Sequence, residues 1–228
     1  MNGKLYMVAT PIGNLGDISF RALETLKSVK LILAEDTRVT RKLLTRYEIS
    51  TPFESYHQHS DITKKLYILN KLLNGEDIAL VTDAGTPGIS DPGNELVDFL
   101  LSSTSEKLDI IPIPGPSSLT AVLSVCGFNV SHFLFLGFLS KRDILIDLDI
   151  VGRSNISCVY YDSPFRMLKN LEKLVDFVGP DRRVLVSFEL TKMHEKHFRG
   201  RISEVLETLQ NESNLKGEVV VVVEGKSL

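Results

Sequence analysis

Residues 77–93 read Asp77-Ile78-Ala79-Leu80-Val81-Thr82-Asp83-Ala84-Gly85-Thr86-Pro87-Gly88-Ile89-Ser90-Asp91-Pro92-Gly93. The apolar run from Ile78 to Val81 is typical of a buried strand in a parallel sheet. The segment after it carries three glycines and two prolines, which permit sharp turns and stiffen the backbone. Because ligands of open α/β sheets bind at the carboxyl ends of the strands, this pattern favours a binding loop over a structural turn.

The composition limits the class of protein. The chain has 228 residues and a formal net charge of -3, so an RNA partner would need a local basic patch rather than a global field. The sequence shows neither a signal-peptide pattern at its start nor an apolar run of about eighteen residues, as a membrane-spanning helix needs. We therefore expect a cytoplasmic protein. Cys126 and Cys158 each lie among apolar residues, which indicates buried thiols rather than a disulfide or a metal pair.

The pattern of a strand followed by a polar or glycine-rich tip recurs in the first half of the chain. Three further strands are predicted, each with its tip: residues 4–10 before Pro11-Ile12-Gly13-Asn14-Leu15-Gly16-Asp17, residues 31–34 before Glu35-Asp36-Thr37-Arg38, and residues 108–111 before Pro112-Ile113-Pro114-Gly115-Pro116-Ser117-Ser118. Helices are predicted between the strands, from near Ser19 and over residues 40–47, 61–74 and 94–102. This alternation predicts a parallel sheet whose four tips gather along one edge.

The helix over residues 61–74 has the clearest helical spacing in this half. Its predicted buried face consists of Ile62, Leu66, Leu69 and Leu73. The dipeptide Asn74-Gly75 is typical of a helix end and should close it.

The second half of the chain predicts another α/β domain. A helix is predicted over residues 117–126, strands over 132–138, 157–161, 183–189 and 219–223, and helices around Leu171 and Val205. The strongest punctuation between the two halves is the proline and glycine cluster around Gly115. We therefore predict two α/β domains, residues 1–115 with a mainly parallel sheet and residues 116–228 with a mixed sheet.

Several common chemistries lack their motifs. The sequence contains no G-x-x-x-x-G-K-[ST] loop and no G-x-G-x-x-G after a strand, which excludes nucleotide sites of those two kinds. Ser117 and Ser118 are better interpreted as a helix N-cap than as catalytic serines. His194 and His197 do not have the spacing of a zinc-protease helix, so we expect no metal site.

The predicted tips suit a neutral or cationic ligand that is rich in hydrogen-bonding edges. Glycine-rich backbone offers N–H and C=O groups to an adenine ring and to an amino-acid zwitterion. The Asp83 carboxylate and exposed carbonyl groups suit a positive centre. S-adenosylmethionine combines all of these parts.

Four ordered motifs in the first half closely resemble those of the tetrapyrrole methylase superfamily, and within it those of its ribosomal RNA methyltransferases. They occupy residues 8–17, 35–38, 82–93 and 112–117. The second half agrees through residues 137–139, 161–166, 189–195 and 216–218. The resemblance therefore covers essentially the whole chain.

The resemblance implies a fold, a cofactor and a substrate. It implies two α/β domains with S-adenosylmethionine in a cleft between them, a homodimer, and 2′-O-methylation of a cytidine ribose in the decoding region of 16S rRNA in the 30S subunit. The residues that should contact the methyl donor are Pro11, Ile12, Gly13, Asp83, Ala84, Gly85, Thr86, Pro87, Ser90, Pro114, Gly115, Ser117, Ser118, Tyr161 and Leu190.

Two pairs of residues are candidates for accepting the hydroxyl proton or for orienting the substrate. Glu35 and Asp36 lie at a predicted strand tip and are the first pair, and Glu189 and Lys192 are the second. The alternative for Asp36 is a surface ion pair with Arg38.

The candidates for contact with RNA phosphates are cationic. They are Arg38, Lys141, Arg142, Arg166, Lys192, Lys196, Arg199 and Arg201, and a solvated charged face is the alternative for each. Two other functions stay open at this point: a tetrapyrrole C-methyltransferase, and a protein that binds S-adenosylmethionine without catalysis.

Overall fold

A computed structural model describes residues 1–213 and 215–226 of the chain. The chain forms two compact units, Met1–Ser117 and Ser118–Leu228. This division lies close to Gly115, at which the sequence predicts the domain boundary. No helix among the described residues is both long enough and apolar enough to cross a membrane.

The first unit is an α/β domain with a parallel sheet. Its elements within the described residues are β1 (Lys4–Val8), α1 (Phe20–Ser28), β2 (Leu31–Ala34), α2 (Thr37–Arg46), β3 (Phe53–Ser55), α3 (Ile62–Leu73), β4 (Ile78–Val81), α4 (Asn94–Ser102) and β5 (Asp109–Ile113). The strand order is β3-β2-β4-β1-β5, and every pairing is parallel. The predicted parallel sheet is confirmed.

The two faces of this sheet enter two separate cores. Leu33 and Leu80 belong to one core, whereas their neighbours Ile32 and Val81 belong to the other. Successive side chains of a strand point to opposite faces, and helices cover both faces of a parallel sheet. This explains why β2 and β4 are apolar at every position.

Helix α3 buries a different face from the predicted one. Ile62 and Leu66 are exposed, whereas Ile68 and Leu72 are fully buried together with Leu69. Apolar residues occur on more than one side of this helix, so the helical spacing alone does not select the side that packs on the sheet. The predicted helix is confirmed, but its predicted buried face is wrong at two positions.

Several elements of the first unit differ from the prediction: β1 ends at Val8 instead of Thr10, β3 was not predicted, and two further ends differ for the following reasons. Helix α2 begins at Thr37 instead of near residue 40, because the Asp36 carboxylate accepts the N–H of Arg38 at 2.8 Å and caps the helix. Strand β5 continues through Pro112 to Ile113. Proline is tolerated there because β5 is an edge strand, so one side of it needs no backbone donors.

The second unit contains a mixed sheet. Its elements within the described residues are α5 (Ser118–Val125), β6 (Phe133–Phe138), α6 (Ile144–Arg153), β7 (Ser157–Asp162), α7 (Pro164–Val178), β8 (Arg183–Phe188), β9 (Lys196–Arg201), α8 (Ile202–Gln210) and β10 (Val219–Val223). The strand order is β6-β7-β10-β8-β9, with β6 and β7 parallel and the other pairs antiparallel. The predicted mixed sheet is confirmed, although α6 and β9 were not predicted.

Candidate functional site

The tips of four neighbouring strands form the candidate site of the first unit. Strands β2, β4, β1 and β5 lie side by side in that order and run in the same direction. Their carboxyl ends therefore meet at one edge of the sheet, as predicted. These segments, residues 9–17, 35–38, 82–93 and 114–117, are called the four tips below.

The tips after β1 and β4 are joined by backbone hydrogen bonds. The N–H of Thr10 donates to the carbonyl of Gly85 at 2.9 Å, and the N–H of Gly85 donates back at 3.0 Å. The Thr10 hydroxyl donates to the carbonyl of Thr82 at 3.0 Å. Gly85 has a φ of +85°, a conformation that favours glycine. The two glycine-bearing tips are thereby held in a fixed arrangement.

The tip after β5 packs against the same pair. A Cβ at Gly115 would lie 3.1 Å from the Cβ of Ala9, so glycine allows these two backbones to approach closely. The Thr86 hydroxyl donates to the carbonyl of Pro116 at 3.3 Å. The tips of β4, β1 and β5 therefore form one hydrogen-bonded surface.

The tip after β2 is joined to the tip after β4 by two acidic residues. The N–H of Asp36 donates to Oδ1 of Asp83 at 3.0 Å, and the N–H of Asp83 donates to Oε2 of Glu35 at 3.2 Å. Among the described residues, no hydrogen-bond donor contacts Oε1 of Glu35. Oε1 of half-buried Glu35 is therefore an available acceptor, as is Oδ2 of Asp83, to which the described residues also direct no donor.

The three carboxylates at this edge have different proton affinities. Burial raises the pKa of Glu35 and of Asp83, and the nearby negative charges add to both shifts. Hydrogen bonds from the side chain and backbone of Arg38 instead lower the pKa of Asp36 to about 2. Asp36 is thus a helix cap in an ion pair with Arg38, whereas Glu35 is suited to accept a proton.

The rest of the β4 tip is held by hydrogen bonds within the loop. The N–H of Gly88 donates to the carbonyl of Pro92 at 3.2 Å, and the Asn94 side chain donates to the carbonyl of Gly88 at 2.7 Å. Ser90 has a φ of +60° and is exposed. A non-glycine residue in this conformation indicates a loop held by its surroundings, which places Ser90 at the outer surface of the tip.

The predicted donor contacts divide between the two units. Those of the first unit all lie in the four tips: Pro11, Ile12, Gly13, Asp83, Ala84, Gly85, Thr86, Pro87, Ser90, Pro114, Gly115 and Ser117. The second unit holds Ser118, Tyr161 and Leu190. There the Ser118 and Tyr161 hydroxyls are 2.8 Å apart, and Leu190 is buried. These assignments stay predictions.

Glu189 and Lys192 form a cluster with Glu218 in the second unit. The Lys192 ammonium donates to Glu189 at 2.9 Å and to Glu218 at 3.0 Å. Burial lowers the pKa of Lys192, but its hydrogen bonds to the two carboxylates outweigh this and raise it above the usual lysine value. Lys192 therefore stays protonated and is suited to hold negative charge rather than to accept a proton.

Gly217 is required for this cluster. A Cβ at Gly217 would lie 1.9 Å from Oε1 of Glu189, and the φ of Gly217 is +92°. Replacing Gly217 by alanine should lower the free energy of unfolding by about 1–3 kcal/mol, measured by urea denaturation. The control is Gly127→Ala, since Gly127 has a φ of +75° and open space around it. An equal loss in both variants would contradict the packing role.

Most of the cations predicted to contact RNA have partners within the protein. The pairs are Arg38 with Asp36 at 2.6 Å, Arg166 with Asp162 at 3.2 Å, Lys196 with Glu212, Arg199 with the carbonyl of Val125, and Arg201 with Asp181 at 3.5 Å. Lys141 and Arg142 are exposed, and their side chains form no ion pair with another described residue. They are the predicted cations most available to a phosphate.

One polar chain in the second unit was missed by the sequence analysis. The N–H of Thr191 donates to Glu195 at 3.0 Å, Glu195 contacts Nε2 of His197 at 2.9 Å, and Nδ1 of His197 lies 2.9 Å from the hydroxyl of buried Ser187. This chain fastens residues 189–192 to the second sheet. The signal was a polar serine inside the predicted strand over residues 183–189.

The histidines that the structure describes are not gathered into a metal-binding group. Among residues 1–213 and 215–226, no group of three or more His, Cys, Asp or Glu side chains could hold a metal ion. His57 and His59 are exposed, and both cysteines are buried free thiols.

Two of the proteins that are similar to this chain over most of its length carry the same name. The chain is 44% identical over 225 residues to "Ribosomal RNA small subunit methyltransferase I" of Synechocystis sp., covering 98% of this chain and 79% of that protein. It is 42% identical over 228 residues to the protein of the same name from Thermotoga maritima, covering 98% of this chain and 99% of that protein. These relatives carry the name that the motifs led us to expect.

Solved structures show the same fold at low sequence identity. Cobalt precorrin-4 methyltransferase, a cobalamin biosynthetic enzyme, superposes with a TM-score of 0.70 at 16% identity, covering 97% of this chain and 94% of that one. Uroporphyrin-III C-methyl transferase from Thermus thermophilus, complexed with S-adenyl homocysteine, has a TM-score of 0.65 at 19% identity, covering 97% of both chains. The sequence profile described as Tetrapyrrole (Corrin/Porphyrin) Methylases matches residues 4–206. The chain therefore belongs to the tetrapyrrole (corrin/porphyrin) methylase family, which confirms the resemblance inferred from its motifs.

Proposed function

We propose that this protein methylates the 2′-hydroxyl of a cytidine ribose in the decoding region of 16S rRNA, with S-adenosylmethionine as the methyl donor. The observation that carries the proposal is the agreement between two findings. Relatives that match 98% of the chain at 42–44% identity are named as small-subunit rRNA methyltransferases. The four hydrogen-bonded tips at one sheet edge supply a site of the required kind.

The described residues fit the proposed donor. Gly85 and Gly115 let the backbones of the β4, β1 and β5 tips approach each other without side chains between them. Backbone N–H and C=O groups can then pair with the edges of an adenine ring. The Asp83 carboxylate is exposed at the same edge and can neutralise a cationic group of the ligand.

The protein's own side chains would orient the ribose hydroxyl and remove its proton. When bound, S-adenosylmethionine supplies a methyl group on a sulfonium sulfur, which a hydroxyl oxygen can attack in line. Catalysis of such a displacement depends on orientation and on removal of the hydroxyl proton. We assign the proton to Oε1 of Glu35, because burial raises the pKa of this carboxylate and Oε2 already accepts the N–H of Asp83.

We choose the residues that contact RNA by their positive charge and their exposure. Lys141 and Arg142 follow β6 by three and four residues and are exposed, without an ion pair to a described residue. They are therefore the first candidates for phosphate contacts. Lys192 is a protonated side chain in the second unit and is a further candidate. A homodimer, cytoplasmic location, and donor contacts by Ser118, Tyr161 and Leu190 stay predictions.

Removing one of these cations should change the salt dependence of RNA binding. Lys141→Ala should weaken binding to 30S subunits and reduce the slope of log Kd against log salt by about one charge. Lys107→Ala is the matched control, because Lys107 is a 91% exposed lysine of the first unit. A filter-binding titration at several salt concentrations measures both. The same slope in the Lys141 variant and the wild type would remove Lys141 from the interface.

The function itself can be tested with labelled donor. The protein is incubated with methyl-labelled S-adenosylmethionine and either unmethylated 30S subunits or uroporphyrinogen. Label in 16S rRNA that survives in an alkali-resistant dinucleotide is expected, since a 2′-O-methyl group blocks alkaline cleavage at that position. Label in the porphyrin indicates the C-methyltransferase alternative. Binding of donor without transfer to either acceptor would indicate the non-catalytic alternative.

A further inference from the structure

The carboxyl ends of β6 and β7 carry exposed aromatic rings. These two strands are parallel, so both ends lie at the same edge of the second sheet. Phe138, the last residue of β6, pairs in register with Tyr161, and their ring centroids are 5.2 Å apart. Phe138 is 62% exposed, and Phe165, at the start of α7, is 94% exposed. Exposed rings that lie together at one sheet edge can mark a binding surface, whereas single exposed hydrophobic residues are common.

A β-bulge orients the end of β6. The register between β6 and β7 shifts between Phe135 and Phe138, and Gly137 has a φ of +63°. Bulges re-aim side chains and are over-represented beside functional sites. Tyr161 packs against this end of β6. Its ring centroid lies 5.1 Å from that of Phe135, and its hydroxyl lies 2.8 Å from that of Ser118. Phe138 therefore lies on a strand and packs against Tyr161, instead of lying in a free loop.

Three exposed cations lie close to these rings in the sequence. Lys141 and Arg142 follow β6, and Lys169 lies one helical turn after Phe165 on α7. All three are exposed, and none forms an ion pair within residues 1–213 and 215–226. Of the neighbouring acids, Asp162 is in an ion pair with Arg166 at 3.2 Å, and Asp147 accepts the neutral N–H of Ser140 at 2.7 Å.

Asp143 and Glu172 are exposed carboxylates near these cations, Glu172 three residues after Lys169 on α7. Among the described residues the three cations have no ion-pair partner, so they are open to an external anion beside apolar rings. Proteins that bind single-stranded nucleic acids combine these two features, because bases stack on aromatic rings and cations follow the phosphates. An apolar protein partner would leave the cations unmatched, and an RNA duplex would hide the faces of its bases.

We propose that Phe138 and Phe165 are stacking platforms for unpaired bases of a single-stranded RNA segment, and that Lys141, Arg142 and Lys169 contact its phosphates. The inference rests on the proposed function and adds the place at which the RNA strand is held. It also names the substrate class more narrowly: an rRNA segment whose bases are open to solvent, rather than a helical stem.

A single tryptophan tests the stacking directly. The chain contains no tryptophan, so the fluorescence of Phe138→Trp reports on this position alone, and a stacked base quenches it. Single-stranded oligocytidylate should give saturable quenching that weakens as salt is added. Phe133→Trp is the matched control, since Phe133 lies at the opposite end of β6 and is 41% exposed. Equal quenching in both variants, equal quenching by an RNA duplex, or no quenching would overturn the inference.

Methyl transfer supplies the second readout. Phe138→Ala and Phe165→Ala should each raise KM for 30S subunits about five- to hundredfold, with the affinity for S-adenosylmethionine unchanged by calorimetry. If wild-type protein methylates 30S subunits and both variants keep its KM, the inference fails and the proposed function stands. If wild-type protein transfers no methyl group but oligocytidylate still quenches Phe138→Trp, the proposed function fails and the stacking site stands.

Discussion

Replacing Glu35 by glutamine should lower the rate of methyl transfer by about 10²- to 10⁴-fold, the range for loss of a general base. Oε1 of Glu35 is an acceptor that the four tips leave available, whereas Asp36 is held by Arg38. The amide keeps the size of the side chain and one oxygen for the N–H of Asp83, but it cannot take up a proton. Single-turnover kinetics with 30S subunits would measure the loss.

The pH profile separates this role from a structural one. Burial raises the pKa of Glu35, so the wild-type rate should fall as the pH drops through a value above that of an ordinary glutamate. This acid limb should be absent in Glu35→Gln. The folded-state pKa exceeds the unfolded one, so the buried carboxylate costs stability as the pH rises through it. The glutamine variant should therefore be at least as stable as the wild type at neutral pH.

The control for this experiment is Glu24→Gln, since Glu24 is an exposed glutamate on α1. Its rate and pH profile should match those of the wild type. If Glu35→Gln keeps both the wild-type rate and the acid limb, Glu35 does not accept the proton.

Strands were predicted well where continuous apolar runs end at polar residues. The bounds of β2, β4 and β10 agree with the prediction, because all three are central strands covered on both faces. The gathering of the four tips also followed from the sequence, since parallel strands place their carboxyl ends at one edge. Fold class and site location therefore depend on patterns that a single sequence contains.

Elements with one weakly buried face were missed. Strand β9 reads Lys196-His197-Phe198-Arg199-Gly200-Arg201 and lies at a sheet edge, so it carries little apolar signal. In α6 the apolar residues occur on most sides of the helix, and only Leu148 and Val151 are buried. Neither element has the periodicity on which the predictions relied.

The roles of individual site residues depend on contacts that sequence patterns do not show. Glu35 and Asp36 are adjacent and have the same kind of side chain, but Glu35 is half-buried and accepts the N–H of Asp83, whereas Asp36 caps α2. Lys192 was a candidate for accepting the hydroxyl proton or for orienting the substrate, but hydrogen bonds to two carboxylates keep it protonated. Long-range hydrogen bonds decide between such roles, and they join residues about fifty positions apart in the case of Glu35 and Asp83.

Replacing Asp83 by alanine should raise the Kd for S-adenosylmethionine about ten- to hundredfold. The Asp83 carboxylate is the exposed negative group at the centre of the four tips, and a charged hydrogen bond of about 1.5–3 kcal/mol corresponds to this change. Isothermal titration calorimetry with the purified protein would measure it without any RNA. Loss of a negative charge should also weaken the binding of the positively charged donor more than that of neutral S-adenosylhomocysteine.

The opposite end of the same strand supplies the matched control. Asp77 precedes β4, and its carboxylate accepts the N–H of Lys4 at 2.8 Å. The carboxylate of Asp83 accepts the N–H of Asp36 at 3.0 Å, so both alanine variants lose one bond to a backbone amide. Their unfolding free energies should fall by similar amounts, about 1 kcal/mol, but donor binding should fall only in Asp83→Ala. Equal Kd values in the two variants would move the donor away from the four tips and, with it, the assignment of the proton acceptor to Glu35.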